Sequence, residues 1–349
     1  MKSYKIAAIP GDGIGKEVIA AGVDVLRLLS EKESFKVDIA TFDWSSERYL
    51  KTGAYIPAGG LEQLRRFDAI FFGAVGSPEV PDHVSLWGLR LPICQGFDQY
   101  ANVRPSRVLP GVTSRLANAD EIDWVIVREN SEGEYSGSGG RVHRGLPEEI
   151  ATETSVFTRV GVERIHRFAF EMARKRKRKH LTLVTKSNAQ RHGMVLWDEI
   201  FFELKASYPD VRTDRVLVDA MTTRMVLNPG SLDTIVASNL HADILSDLAA
   251  ALSGSLGIAP TANLNPERKF PSMFEPIHGS AFDITGKGIA NPIATFWTAS
   301  MMLEHLGEPG AAARLMRAIE RTTGEQVFTP DLGGEHDTRA VTNAVKRAL

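Results

Sequence analysis

Four segments repeat one theme: four or five apolar residues followed by a polar one. They are DWVIVREN, LTLVTKSN, RVLVDAMT and TIVASNL. KIAAIP, KVDIATFDW and DAIFFGAVG are further short apolar runs, the last ending in glycine. Runs of this length bounded by turn residues read as buried strands. Helical patterns lie between them. GDGIGKEVIAAGVDVLRLLSEK reads as a turn and then an amphipathic helix, and GGLEQLRRF, VGVERIHRFAFEMARKRK and GMVLWDEIFFELKASY as helices. Strands alternating with helices predict an α/β chain with much parallel sheet. A length of 349 residues suggests two domains. In open sheets of this kind ligands bind beyond the carboxyl ends of the strands. The polar residues there are Arg128, Lys186 and Asp219. Segment 131–156 is glycine-rich, then charged and β-branched, and reads as a loop and extended arm.

Bulk properties narrow the function classes. A net charge of −2 gives no global pull toward nucleic acid or anionic lipid. The one cysteine, Cys94, excludes an internal disulfide framework and a cysteine-based zinc site. No apolar run approaches the roughly 18–20 residues that span a bilayer. The start, MKSYKIAAIPGDG, enters a strand pattern at once, so the expected location is the cytoplasm.

NLHADILSDLAAALSG sets Asp243 and Asp247 four residues apart on an apolar helix. Like charges at that spacing destabilise a helix by roughly 0.2–0.5 kcal/mol. Ile244, Leu245, Leu248 and Leu252 read as buried, and burying unpaired carboxylates costs several kcal/mol. Something positive is expected beside them. One reading is an exposed pair at a helix start capped by Asn239. The other is a hard divalent cation, Mg²⁺ or Mn²⁺, which takes oxygen ligands, with Asp219 as a third carboxylate. Arg104 in NVRP, Arg128 in IVREN, Tyr135 and Lys186 in VTKSN are long polar side chains at strand ends or in polar loops. Gathered beside an acidic metal cluster they would form a pocket for a small acid with two carboxylates and a hydroxyl, because guanidinium forks match carboxylates.

Three other features have duller readings. GDGIG (Gly11–Gly15) follows a strand and opens a helix, but Lys16 stands where a dinucleotide fingerprint needs its third glycine. A tight strand-to-helix turn is expected. RKRKRK (Arg174–Lys179) closes a helix, where cations complement the dipole, rather than marking a nucleic-acid patch. Cys94 has no partner base in the sequence and reads as packed.

Taken together these pieces resemble the β-decarboxylating dehydrogenases, the family of isocitrate and 3-isopropylmalate dehydrogenases. The resemblance runs through IPGDGIGKEV, FGAVG, NVRP, VIVRENSEGEYSG, VTKSNAQ, VDAMT, NLHADILSDLAAALSGSLG and FEPIHGSAFDITGKGIANP, nearly the whole chain. EVPDH, LWGLRLPICQGFDQY and RGLPEEI resemble its tartrate dehydrogenase/decarboxylase and D-malate dehydrogenase branch. The implied fold is that family's two-domain α/β fold with a mostly parallel sheet, not a standard Rossmann fold. Residues 1–103 with 258–349 would form the larger, nucleotide-binding domain. Residues 104–257 would form the dimerisation and metal-site domain.

The resemblance also implies roles. Arg104 and Arg128 would bind substrate carboxylate. Asp219, Asp243 and Asp247 would hold Mn²⁺ or Mg²⁺. Tyr135 and Lys186 would handle protons, with Lys186 and Asp219 supplied by the partner subunit of a homodimer. The nucleotide would lie against His278, Gly279, Ser280, Ala281, Asp283 and Asn291, with Glu275 nearby. Relatives that use NADP place a lysine and a tyrosine where this chain has Asp283 and Ile284. Asp283 would accept a hydrogen bond from a ribose 2′-hydroxyl and repel a 2′-phosphate, so NAD is expected. K⁺ is a further candidate cofactor. The implied activity is oxidation of tartrate and D-malate at the C2 hydroxyl, with decarboxylation of the β-keto acid from D-malate and some tartrate isomers. 3-Isopropylmalate dehydrogenase is the alternative. One departure bears on substrate. Many members carry a substrate-binding arginine ten residues before the NVRP arginine, where this chain has Cys94. Pro92 interrupts what is elsewhere a helix, and Arg90 is displaced. That loss argues against substrates with a third carboxylate. A non-catalytic RNA-binding protein is the rival from another class.

Overall fold

The computed structural model describes residues 1–349. Twelve strands run in chain order: β1 (Lys2–Gly11), β2 (Phe35–Thr41), β3 (Ala69–Ala74), β4 (Ala101–Arg107), β5 (Asp123–Glu129), β6 (Gly139–Val142), β7 (Ile150–Glu153), β8 (His180–Thr185), β9 (Arg212–Leu217), β10 (Thr234–Ala237), β11 (Pro260–Leu264) and β12 (Ser272–Pro276). The chain forms two compact units. The first comprises Met1–Gln99, Arg107–Ala119 and Ala250–Leu349, and the second Tyr100–Ser106 and Asp120–Ala249.

In the first unit the strand order is β2-β1-β3-β12-β11. β1 pairs in parallel with β2 and β3, and β3 with β12, whereas β11 runs antiparallel to β12. Successive side chains leave opposite faces of a strand, and both faces are covered. Ile6, Ala8, Phe71 and Phe274 join one apolar cluster with Phe296, Leu315 and Ile319. Ala7, Ile9, Phe72 and Met273 join another with Trp44, Tyr55, Ile93 and Phe97. Two covered faces explain why these strands read as continuous apolar runs rather than alternating ones. β2, an edge strand, alternates instead, with Lys36 and Asp38 facing out.

The second unit has the order β4-β5-β10-β8-β9, with β5, β10, β8 and β9 mutually parallel. The helix Arg159–Lys175 starts at Thr158, whose hydroxyl accepts from Gly161 N (3.0 Å). It packs on the helix Gly193–Lys205 through Phe170 against Phe201 (5.0 Å between ring centroids) and His166 against Trp197 (4.3 Å). The expected arm is the antiparallel hairpin of β6 and β7, exposed along both strands.

The α/β reading and all seven expected strands are observed, with three differences of detail. β4, β11 and β12 lie outside the strands expected; β11, PTANL, carries Pro, Thr and Asn and is held by pairing with β12, which pairs in turn with β3. Asp219 is not at a strand end but in the first turn of the helix Val218–Leu227, immediately after β9. The Asn239–Leu252 helix is buried on one side only. Leu245, Ala249 and Leu252 face inward, while Ile244 is 55% exposed because one residue of helix turns it by about 100°.

Candidate active site

Three neighbouring strands of the second unit, β4, β5 and β10, position the candidate residues. β4 carries Arg104 and β5 carries Arg128. Arg128 is paired in register with Ala237, the last residue of β10, and the helix Asn239–Leu252 begins two residues later. This short connection brings Asp243 against both arginines. Arg104 is 5% exposed and donates from Nε to Asn102 Oδ1 (2.9 Å) and from Nη1 to Ser246 Oγ (2.5 Å) and Asp243 Oδ1 (3.3 Å). Arg128 is 2% exposed and donates from Nε to Asn239 Oδ1 (2.9 Å) and from Nη1 to the same Asp243 oxygen. The other oxygen, Oδ2, accepts from the Tyr135 hydroxyl (3.3 Å), and the Arg128 guanidinium lies 5.3 Å from the centre of the Tyr135 ring.

The positive charge that the aspartate spacing demands is therefore present as two buried guanidiniums on Asp243. The Asn239 side chain does not cap the helix. It is turned to Arg128 and to the Glu132 carbonyl. Asp247, one turn on, is exposed as a residue, although its carboxyl is partly shielded from water. Burial and then the charge of Asp243 push its carboxyl up, with Arg104 and Arg128 opposing. Its charge is relieved less than that of Asp243, which suits a carboxylate that waits for a cation. The donors offered here are oxygens only, the chemistry of a hard divalent ion. No three carboxylate, imidazole or thiol groups are gathered anywhere in the chain.

Lys186 and Asp219 form a close ion pair with each other. The β8–β9 register sets Thr185 beside Leu217, so the residues just beyond each strand end face each other. Hydrogen bonding and charge from Lys186 hold the Asp219 carboxyl below its ordinary value. Lys186 also acts on His241, whose imidazole is pushed down mainly by burial.

In the first unit GDGIG is a packing turn. A Cβ at Gly11 (φ +69°) would meet the Ala74 carbonyl oxygen at 1.8 Å, and one at Gly13 (φ +54°) the Ser280 carbonyl oxygen at 2.0 Å. Asp12 is buried and accepts from Ser46 N (2.8 Å), Ser46 Oγ (2.6 Å) and Gly76 N (2.9 Å). Ile14 N donates to Ser280 O (2.8 Å), which ties the turn to the segment His278–Asp283. There His278 Nε2 is buried with no partner, an orphan donor or acceptor of the kind a bound ligand satisfies. Ala281 is held at φ +41°, uncommon for a residue with a side chain. Asp283 is exposed. Asn291 donates to Asp331 Oδ2 (3.0 Å).

Arg90 is committed within this unit. It pairs with Glu275 (2.7 Å) and donates to Asn263 Oδ1 (3.1 Å), while Asn263 Nδ2 donates to Glu275 Oε1 (2.8 Å). Cys94 is packed in the apolar cluster with Ile93 and Phe97. Pro92 does not break the helical segment. A π-helical turn, Leu86–Arg90, precedes it, and Leu91 N bonds to Leu86 O. The widened turn accommodates a ring that would otherwise clash with the carbonyl four residues back. The RKRKRK run is a neutralised helix end: Arg174 pairs with Asp210 (3.0 Å), Arg176 with Asp233 (2.5 Å) and Lys179 with Asp210 (3.5 Å).

Sequence reasoning passed over Glu129, although it follows Arg128 directly in VIVREN. It is 1% exposed, and an acidic residue closing an apolar strand was the available signal.

The isocitrate/isopropylmalate dehydrogenase family profile matches residues 5–346. The chain is 69% identical to a "Probable tartrate dehydrogenase/decarboxylase" of Agrobacterium vitis, over 100% of this chain and 97% of that protein. It is 50% identical to the D-malate dehydrogenase [decarboxylating] of Escherichia coli strain K12, over 100% and 99% of the two. Among solved structures, isocitrate dehydrogenase from Methylococcus capsulatus superposes with a TM-score of 0.89 at 37% identity, covering 99% of each chain. This chain belongs to the isocitrate/isopropylmalate dehydrogenase family.

Proposed function

We propose that this enzyme oxidises the C2 hydroxyl of tartrate and D-malate with NAD and Mn²⁺ or Mg²⁺, and that the β-keto acid from D-malate and some tartrate isomers loses CO₂. The observation that carries the reading is the pair of buried guanidiniums, Arg104 and Arg128, beside Asp243 and the Tyr135 hydroxyl. The relatives named for tartrate and D-malate support it.

Arg128 uses two of its five N–H donors on Asn239 and Asp243, and the rest suit a substrate carboxylate. Arg104 adds a second buried cation, so a dianionic acid is favoured over a monoanion. Asp243 and Asp247, with Asp219 from a second copy of the chain, would hold the divalent cation. That cation supplies Lewis acidity at the hydroxyl and the adjacent carboxylate. Lys186, beside Asp219, takes the hydroxyl proton. NAD⁺ supplies the hydride acceptor for C2. After CO₂ leaves, Tyr135 delivers a proton to the enol carbon. His278, Gly279, Ser280, Ala281 and Asn291 would bind the nucleotide, with Glu275 nearby, and Asp283 would favour NAD over NADP. The active unit is a homodimer that shares its sites, with no nucleic-acid or membrane partner. No helix is long and apolar enough to cross a membrane, and a cytoplasmic location is part of this proposal.

The test is NADH formation with Mn²⁺ and K⁺ across D-malate, the tartrate stereoisomers, 3-isopropylmalate and isocitrate, with CO₂ trapped in parallel. Turnover of D-malate and tartrate that chelator abolishes is expected. Preference for 3-isopropylmalate would replace the substrate assignment, and no turnover on any acid would sink the reading.

A further inference from the structure

Glu129 is the last residue of β5, next to Arg128, and water scarcely reaches it. Its carboxylate accepts from Ser131 N (2.9 Å), Ser131 Oγ (2.5 Å) and Glu132 N (2.7 Å). No basic side chain pairs with it. A buried carboxylate without a counter-charge is costly to a fold, and burial pushes this one up to about 7 despite its three donors. A buried charge that costs stability invites a functional reading.

The three donors lie on the turn that leads to Tyr135. The same turn is held from its far side. The Glu132 carboxylate accepts from Thr158 N (3.0 Å), and Gly133 exchanges hydrogen bonds with Val156 (2.8 and 3.2 Å). Ser131 Oγ also accepts from Arg164 Nη2 (2.9 Å), and the Arg164 guanidinium sits 4.1 Å from the centre of the Tyr100 ring. The backbone from β5 to the short turn Glu134–Ser136 is therefore clamped at both ends, with Glu129 the inner clamp. Tyr135 reaches Asp243 at 3.3 Å, near the outer limit of a hydrogen bond. A small slip of the turn would lose that contact.

We propose that Glu129 is a positioning residue for proton transfer by Tyr135: its buried carboxylate fixes the Ser131–Glu132 turn and so sets the Tyr135 hydroxyl against Asp243. This rests on the reading of Tyr135 as the proton donor given above.

The test is a double-mutant cycle on pyruvate formation from D-malate, with Glu129→Gln, Tyr135→Phe and the pair. Glutamine keeps the shape but removes the charge and turns an NH₂ toward donors. Glu129→Gln should lower kcat by about 10- to 100-fold, the scale of a misplacement of roughly 1 Å. KM for D-malate should change less than about threefold, because Arg104 and Arg128 are untouched. In the Tyr135→Phe background the same substitution should have little further effect, since residues acting as one unit are not additive. Losses that multiply in full, or a raised KM with unchanged kcat, would overturn the inference. If Glu129→Gln fails to fold, Ser131→Ala removes one of the three donors and should show a smaller kcat loss that likewise vanishes beside Tyr135→Phe. A wild-type enzyme inactive on every acid would instead overturn the proposed function itself.

Discussion

At the scale of single residues, two aspartates one helical turn apart have opposite energetics. Asp243 neutralises two buried arginines, and removing one partner of a buried pair leaves uncompensated charge, costing about 3–5 kcal/mol. Its own side chain is 38% exposed, which places the expected loss for Asp243→Asn at about 3 kcal/mol or less. Asp247 is exposed and repelled by Asp243, so Asp247→Asn should change stability by no more than about 0.5 kcal/mol. Both variants should lose turnover at limiting Mn²⁺. Urea midpoints separate them: equal destabilisation would refute the account of Asp243 as the arginines' counter-ion. Glu129 gives a pH signature. Its folded pKa, about 7, lies above the ordinary carboxylate value, so its contribution is fully present below about pH 4.5 and is lost as pH rises through 7. Urea midpoints compared at pH 5.5 and 8 should therefore fall with rising pH more in the wild type than in Glu129→Gln. Equal slopes would show that Glu129 is not the group responsible.

Among the elements, the helix pair Arg159–Lys175 and Gly193–Lys205 buries His166 with neither ring nitrogen partnered. Burial pushes that imidazole down to about 3. A depressed histidine contributes stability that is present above its unfolded value of about 6.5 and lost as pH falls toward 3. His166→Phe keeps the edge-on packing against Trp197 and Phe201. Thermal unfolding of this variant should flatten between pH 6.5 and 4 and match the wild type near pH 8. An unchanged acid slope would assign the loss to other groups. The same element shows how far periodicity reaches. VGVERIHRFAFEMARKRK announces an amphipathic helix, and its basic tail reads as a helix end. Which carboxylates close that tail, Asp210 and Asp233, depends on residues far along the chain.

For the whole molecule, Lys186 pairs with Asp219, while Arg104, Arg128 and Tyr135 meet on Asp243. Sites shared between two copies would complement. Lys186→Ala and Asp247→Asn, each inactive alone, should on denaturation and co-refolding at equal amounts regain about a quarter of wild-type activity, because half the dimers are mixed and each mixed dimer holds one intact site. No recovery would place all these residues in one subunit's site. Short buried runs and 3.6-residue patterns are local properties, so the alternation, the Asn239–Leu252 helix and the demand for positive charge beside its aspartates could be read from the chain alone. β11 could not, because a short strand carrying Pro and Asn is stabilised by its neighbour's hydrogen bonds rather than by its own residues. Nor could the partners of Arg90 or the burial of Glu129. Arg90 meets Glu275 across 185 residues, and Glu129 differs from any exposed glutamate only in the loss of water around it. Sequence determined which segments pair as strand and helix, since that follows from side chains a few residues apart. Tertiary structure alone decided which charges meet and which lose their solvent, since Coulomb energy and desolvation depend on distance in space rather than along the chain.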